Sequence, residues 1–271
     1  MKVWMLGSGS GGNAVLLEAD GRRVLIDAGF SPRTLSARLS AIGVPPGSIE
    51  ACIVTHEHID HVRGAAAASA RWGWALHASA GTITAATELA STGCHALEAG
   101  VPVLVSTFTV EAFRTPHDAA CPIGVRVTST ASGAVAAVCT DLGHASDAVR
   151  TMCARADILV IESNHDEGML RSGPYPPSVR ARIASRHGHL SNRESAEFSR
   201  ECVHRDLAHV VLAHLSERCN DPSLAHDVAS DRLRGSGFRG TVSVASQHQV
   251  VGPFVPRGSR TAAVAQYALA L

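Results

Sequence analysis

An excess of either charge is missing from this chain. Its 271 residues carry 24 Lys and Arg against 24 Asp and Glu. A protein that coats nucleic acid without regard to sequence carries a basic excess, so such a coat is excluded, whereas a local basic patch is not. Long apolar runs are missing too. None approaches the roughly 20 residues of a membrane-spanning helix. The opening Met1-Lys2-Val3-Trp4-Met5-Leu6-Gly7 is too short for a secretory leader and reads as a first strand. Paired cysteines are lacking. The seven present are odd in number and irregular in spacing, and no Cys-x-x-Cys occurs. That speaks against a disulfide framework and against a structural zinc site. The thiols are expected to be reduced and mostly buried, as in a cytoplasmic protein.

Histidine, by contrast, is abundant, with 15 in the chain. The densest stretch is Thr55-His56-Glu57-His58-Ile59-Asp60-His61, straight after the apolar run Ala51-Cys52-Ile53-Val54. A buried strand that ends in such a cluster delivers several ligand groups to one point. In extended backbone His56 and His58 project to the same side. Asp60 and His61 follow where a helix can begin. The stretch therefore offers two pairs of ligands, enough to start two adjacent metal sites. Imidazole plus carboxylate suits zinc, with manganese or iron as competitors.

Around this stretch the chain alternates strand and helix signals. Residues 1–6, 14–18 and 23–27 read as strands joined by Gly-rich turns. The loop from Gly7 to Asn13 is placed to present N–H groups to an anion, or to serve as a plain connection. Ser31-Pro32 starts a helix that Gly43 stops. Residues 62–72 and 82–89 read as helices flanking a strand at 75–78. From residue 103 the signals are mostly β: 103–105, 107–114, 123–130, 134–140, 157–162, 209–213 and 241–245. Helices are expected at 145–155, 176–187, 192–204 and 222–233. This order makes the class α/β. A 45% hydrophobic composition supplies a full core, and the body is expected to span 1–251, followed by a tail at 252–271 that carries Pro253, Pro256 and a helix-like apolar end.

The His-x-His-x-Asp-His pattern is similar to that of the metallo-β-lactamase superfamily. Gly7-Ser8-Gly9-Ser10-Gly11-Gly12-Asn13, Leu25-Ile26-Asp27-Ala28-Gly29, Thr140-Asp141, Glu162-Ser163-Asn164-His165-Asp166 and Ala213-His214-Leu215-Ser216 follow in the family's order. Together they resemble its YycJ/WalJ-like branch of nuclease-like hydrolases. The resemblance implies a four-layer αββα sandwich with mixed sheets and outer helices. It implies two divalent metal ions per chain, zinc foremost and manganese the other choice, held by His56, His58, Asp60, His61, His117, Asp141 and His214. Asp141 matches the bridging carboxylate, and Asp27 a residue that orients the metal loop from behind. A water or hydroxide between the ions would be the nucleophile.

His189, in Arg186-His187-Gly188-His189-Leu190-Ser191-Asn192, matches a catalytic histidine of the family's phosphodiesterases, just before a helix that Asn192 is placed to cap. Asp60 and Glu162 complete the expected catalytic set, with Glu162 orienting His189 by analogy with other acid–histidine pairs. Asn164, His165 and Arg171 are expected to contact substrate, Arg171 as a phosphate clamp. Flavodiiron oxidoreductases carry an acid at the position of His58, which speaks against redox iron. The implied activity is phosphodiester cleavage, with DNA as the favoured substrate of an exonuclease. The alternative is hydrolysis of a small ester, thioester or cyclic phosphate on the same centre.

Overall fold

The computed structural model describes residues 1–258. Six strands form first, in chain order: β1 (Lys2–Gly7), β2 (Ala14–Ala19), β3 (Arg22–Ile26), β4 (Ala51–Val54), β5 (Ala75–Ser79) and β6 (His95–Leu97). They lie side by side in that order, with β1–β3 antiparallel and β3–β6 parallel. Between them run α1 (Pro32–Ser40), α2 (Ile59–Val62), α3 (Ala65–Trp72), α4 (Ala80–Ala85) and α5 (Thr87–Ala90). A second sheet follows from β7 (Pro102–Val105), β8 (Phe108–Arg114), β9 (Ile123–Ser129), β10 (Val135–Cys139), β11 (Ile158–Glu162), β12 (His209–Ala213) and β13 (Thr241–Val244), again neighbours in sequence order. Its helices are α6 (Asp147–Cys153), α7 (Glu167–Ser172), α8 (Pro177–Ile183), α9 (Asn192–Glu201) and α10 (Pro222–Leu233). Finally β14 (Val251–Phe254) returns to the first sheet and pairs antiparallel with β1.

Three apolar layers account for the architecture. The middle one is shared by the two sheets: Val3, Val15, Val24 and Ile53 from the first meet Val110, Val125, Val138, Val160 and Val211 from the second. A second layer packs α1 and α3 on the first sheet through Leu35, Leu39, Ala65 and Ala68. A third packs α6, α9 and α10 on the second sheet through Val149, Ala196, Phe198 and Ala229. The result is the αββα sandwich. Parallel strands covered on both faces carry continuous apolar runs. Accordingly β4 and β10 are buried along their whole length, and so is β11 up to and including Glu162.

Some elements depart from the sequence expectation. The helix expected over 62–72 is broken at Gly64. A Cβ there would lie 2.0 Å from the Phe30 carbonyl, and the Gly64 N–H donates to the Ala28 carbonyl at 2.7 Å. The α9 helix is capped by Ser191, not Asn192. Ser191 Oγ accepts from the Glu194 N–H and the Glu194 carboxylate accepts in return, a reciprocal cap. Asn192 is already helical and bonds Ser163 and Asn220 instead. Residue 251, the expected end of the body, is the first residue of β14, which pairs with β1. The helix-like part of the tail, at 259–271, lies outside the described residues.

Candidate metal centre

The candidate residues gather where parallel strands of both sheets end, the usual place for a site in such sheets. From the end of β4 come His56 and His58, with Asp60 and His61 one turn on in α2. His117 follows β8, Asp141 follows β10, Glu162 ends β11 and His214 follows β12. Four donor groups form within 4.8 Å each: His56, His58 and His117; Asp60, His61 and His214; His56, His61 and Asp141; and Asp141, Glu162, His189 and His214. The expected ligands therefore converge, with Asp141 between two clusters. Asp141 Oδ2 lies 3.1 Å from His61 Nε2, and Asp141 Oδ1 lies 3.7 Å from His117 Nε2.

Hydrogen bonds behind the rings fix which nitrogen faces inward. His117 Nδ1 is 3.0 Å from the Gly188 carbonyl, which can only accept, so Nδ1 carries the proton and Nε2 stays open. His61 Nδ1 donates to Asp27 at 2.8 Å, and His214 Nδ1 to Glu162 at 2.9 Å. Thr55 Oγ1 donates to Asp27 and receives His56 Nδ1 at 3.0 Å. His56 Nε2 is then left buried without a hydrogen bond, and so is Asp141 Oδ2, since the His61 Nε2 that stands 3.1 Å away carries no proton when Nδ1 donates to Asp27. His58 Nδ1 approaches His117 Nε2 to 3.3 Å. Buried imidazole nitrogens facing one another and an orphaned carboxylate oxygen are costly unless a cation joins them. The donor set fits divalent metal.

The loop is anchored from two sides. Asp27 accepts the Thr55 N–H at 2.7 Å. The Asn13 N–H donates to the Asp60 carbonyl at 2.8 Å. A Cβ on Gly29 would meet that same carbonyl oxygen at 1.7 Å, so only glycine lets the chains approach this closely. The Gly7–Asn13 loop is not an open cradle of N–H groups. Gly9 N–H goes to Asn13 Oδ1, Gly11 N–H to Gln247 Oε1 and Gly12 N–H to the Gly9 carbonyl. Its Ser8 Oγ instead accepts the His214 N–H at 2.8 Å.

The profile of the family described as "Beta-lactamase superfamily domain" matches residues 22–214. The chain belongs to the metallo-β-lactamase superfamily. Within it, exodeoxyribonuclease WalJ of Streptococcus pneumoniae serotype 2 is 33% identical over 238 residues, 86% of this chain and 88% of that protein. Exodeoxyribonuclease YycJ of Bacillus anthracis is 31% identical over 238 residues, 86% of this chain and 89% of that protein. The metallo-β-lactamase fold protein YhfI from Bacillus subtilis superposes with a TM-score of 0.66 at 18% identity, covering 92% of this chain and 98% of that one. Superfamily membership and the clustered donors together mark a metal-dependent hydrolase.

Charge in the superfamily site is arranged in opposition. Burial lowers the His56 pKa well below its ordinary value, and the neighbouring His61 adds to this. Burial, the largest single influence, would lower His61 and His214, but the carboxylates together outweigh it and raise both, Asp141 with Asp27 at His61 and Asp141 with Asp60 and Glu162 at His214. Burial would raise Asp60 and Asp141. The histidines outweigh it: hydrogen bonds from His214 and His61 lower Asp60, and the charges of His214 and His61 hold Asp141 well below the carboxylate range. Glu162 is fully buried and accepts from His189 Nδ1 at 2.7 Å as well as from His214, while its other oxygen accepts the Leu142 and Leu190 N–H groups. His189 keeps 20% of its side chain exposed.

A cleft of ≈ 240 Å³ opens over these residues. Asp60, Asp141, His189, His214 and Asn164 line it, together with Ser10, Tyr175 and Arg182. Asn164 also ties the site, donating to the His214 carbonyl at 2.9 Å. Arg171 and His165 are not brought to this cleft; they line a separate hollow. Sequence reasoning passed over Arg182, which forms an ion pair with Asp118 beside the metal ligands. Its signal was the basic spacing Arg180-x-Arg182 on a helix next to the cleft, legible only once the face of that helix was known.

Proposed function

We propose that this chain is a phosphodiesterase working with two divalent cations, zinc foremost and manganese the other choice, and that it degrades DNA as an exonuclease. One observation carries the reading: two donor clusters, His56/His58/His117 and Asp60/His61/His214, stand on either side of Asp141 beneath an open cleft. One carboxylate between two cations offsets their repulsion, as in hydrolases with paired metals. Two relatives named exodeoxyribonucleases, each matched over 86% of this chain, support DNA as the substrate. When bound, the metals supply an acidified water and a Lewis acid for a phosphoryl oxygen.

The chain's own residues do the rest. Asp27, Thr55, Glu162 and the Gly188 carbonyl hold the imidazoles by their outer nitrogens, which would leave the inner ones to ligate the cations. Arg182, at the cleft wall, orients a phosphate by its planar fork. His189, fixed by Glu162 and open to the cleft, delivers a proton to the departing alkoxide. The seven cysteines are all unpaired, which fits a cytoplasmic enzyme. Among the described residues no helix is long and apolar enough to cross a membrane.

The test is digestion of end-labelled DNA and RNA by metal-reconstituted protein, with a thioester as control. Progressive shortening of DNA from an end is expected. Turnover of the thioester with no cleavage of either nucleic acid would overturn the reading.

A further inference from the structure

The α8 helix is a partition. Val179, Arg182 and Ile183 line the metal cleft, whereas Pro177, Arg180 and Ala184 line a second hollow of ≈ 350 Å³. Pro177, Arg180 and Ala184 are spaced three, four and seven residues apart, Arg182 and Ile183 follow Val179 by three and four, and so each set shares a face. The sets are offset by two residues, about half a helical turn, so the hollows lie on opposite sides of one short helix. The far hollow is completed by His165, Glu167, Leu170 and Arg171. Its volume falls in the range of small-molecule sites, about 300–1,000 Å³.

Its lining is mixed in a particular way. Leu170, Pro177 and Ala184 give an apolar floor. Arg171 has no side-chain partner among the described residues, and Arg180 donates only to the Arg171 carbonyl. Glu167, the one acid there, is already paired with Arg193 at 2.8 Å. His165 is 3% exposed, and its Nδ1 is buried with no partner. A buried ring nitrogen without a partner costs free energy unless something else supplies one. Asn164, its chain neighbour, lines the cleft.

We infer that this hollow is a nucleotide subsite, which takes one base-and-phosphate unit of a single DNA strand whose scissile bond lies in the metal cleft. The inference rests on the nuclease reading above. The apolar floor receives a base or sugar face. The two guanidiniums take a backbone phosphate. His165 meets a polar edge. A strand crossing α8 occupies both hollows, because the helix is their common wall. Arg171 and His165 thus act on the substrate, but away from the reacting bond.

The experiment measures anisotropy of a fluorescein-labelled phosphorothioate oligothymidylate with the metal-loaded protein across a salt series. The double variant Arg171→Ala/Arg180→Ala should bind about tenfold more weakly, with the log–log salt slope flatter by about 0.7, the value for the one single-strand phosphate that both guanidiniums take. Ala184→Phe, which narrows the floor and leaves the charge alone, should weaken binding without changing the slope. Circular dichroism checks that both variants fold. Wild-type affinity and slope in both overturn the subsite. A wild-type protein that hydrolyses bis(p-nitrophenyl) phosphate yet binds no oligonucleotide overturns it as well, while sparing the phosphodiesterase reading. If the wild type binds the strand but cleaves no phosphodiester, the nuclease reading fails, and the two variants still decide the hollow.

Discussion

Glu162 holds two imidazoles with one oxygen, His189 at 2.7 Å and His214 at 2.9 Å. Only His189 of this pair is free of the expected ligand set, and it opens on the cleft. His189→Ala should therefore lower kcat and kcat/KM together, by about 10²–10⁴ if proton transfer is the lost step. Metal analysis of the same protein should still find two ions per chain. Loss of an ion would make His189 a ligand and exclude the proton role. Asp141 tests the other half of the proposal. It touches both donor clusters, so Asp141→Ala should abolish turnover and release at least one cation, read by metal analysis after dialysis. A variant with full activity would show that Asp141 bridges nothing. Both residues could be picked out in the sequence because they sit in short motifs, Asp141 just after β10 and His189 just before α9. That Arg171 and His165 line a separate hollow, and not the metal cleft, was not legible: a motif fixes order along the chain, while the side of α8 on which a residue lies is a tertiary matter.

At the scale of elements, the metal loop is set by the turn it rests on. Gly29 and Gly64 let Asp27–Phe30 lie directly against residues 60–64, with backbone hydrogen bonds Ala28 N–H to the His61 carbonyl and Gly64 N–H to the Ala28 carbonyl. Gly29→Ala puts a methyl 1.7 Å from a main-chain oxygen that no rotamer can move. The expected cost lies at or above the top of the usual overpacking range, about 3 kcal/mol, with reduced metal content as a companion effect. Thermal denaturation of apo and metal-loaded variant checks it; an unchanged midpoint would mean that the two segments can separate freely. The strands that carry the site were readable as apolar runs, since burial on both faces leaves no polar alternation to confuse. Two edge strands were not. β6 has three residues, and β14 contains Gly252 and Pro253, which argue against strand locally. Their pairing to β5 and β1 comes from the rest of the sheet.

At the scale of the molecule, the buried thiols set an alkaline limit. Burial pushes Cys94 up to about 11 and Cys202 up to about 12, and raises Cys139 well above the ordinary thiol value. Unfolded thiols ionise near 9.0, the reference value for Cys94 and Cys202, while the folded ones stay neutral. The folded state binds more protons in that window, so stability should be constant below about pH 8.5 and fall from there toward pH 12. Urea midpoints across that range check the sign; a rise with pH would contradict it. Native protein should also resist alkylation at Cys139, Cys153 and Cys202 by mass spectrometry, because all three are buried.

The donors come from both sheets, and that has an optical consequence. All three tryptophans, Trp4, Trp72 and Trp74, pack in the layer between the first sheet and its helices. Their fluorescence therefore reports one half of the sandwich, whereas far-ultraviolet circular dichroism reports both. Metal held as proposed would tie His56, His58 and Asp60 to His117, Asp141 and His214, act as a rivet across the seam and stabilise only the assembled pair of sheets. With metal, the two signals should lose structure at the same urea concentration. After chelation the fluorescence and dichroism curves should part. Coincident curves in the stripped protein would mean that the apolar layer between the sheets fastens the halves without help.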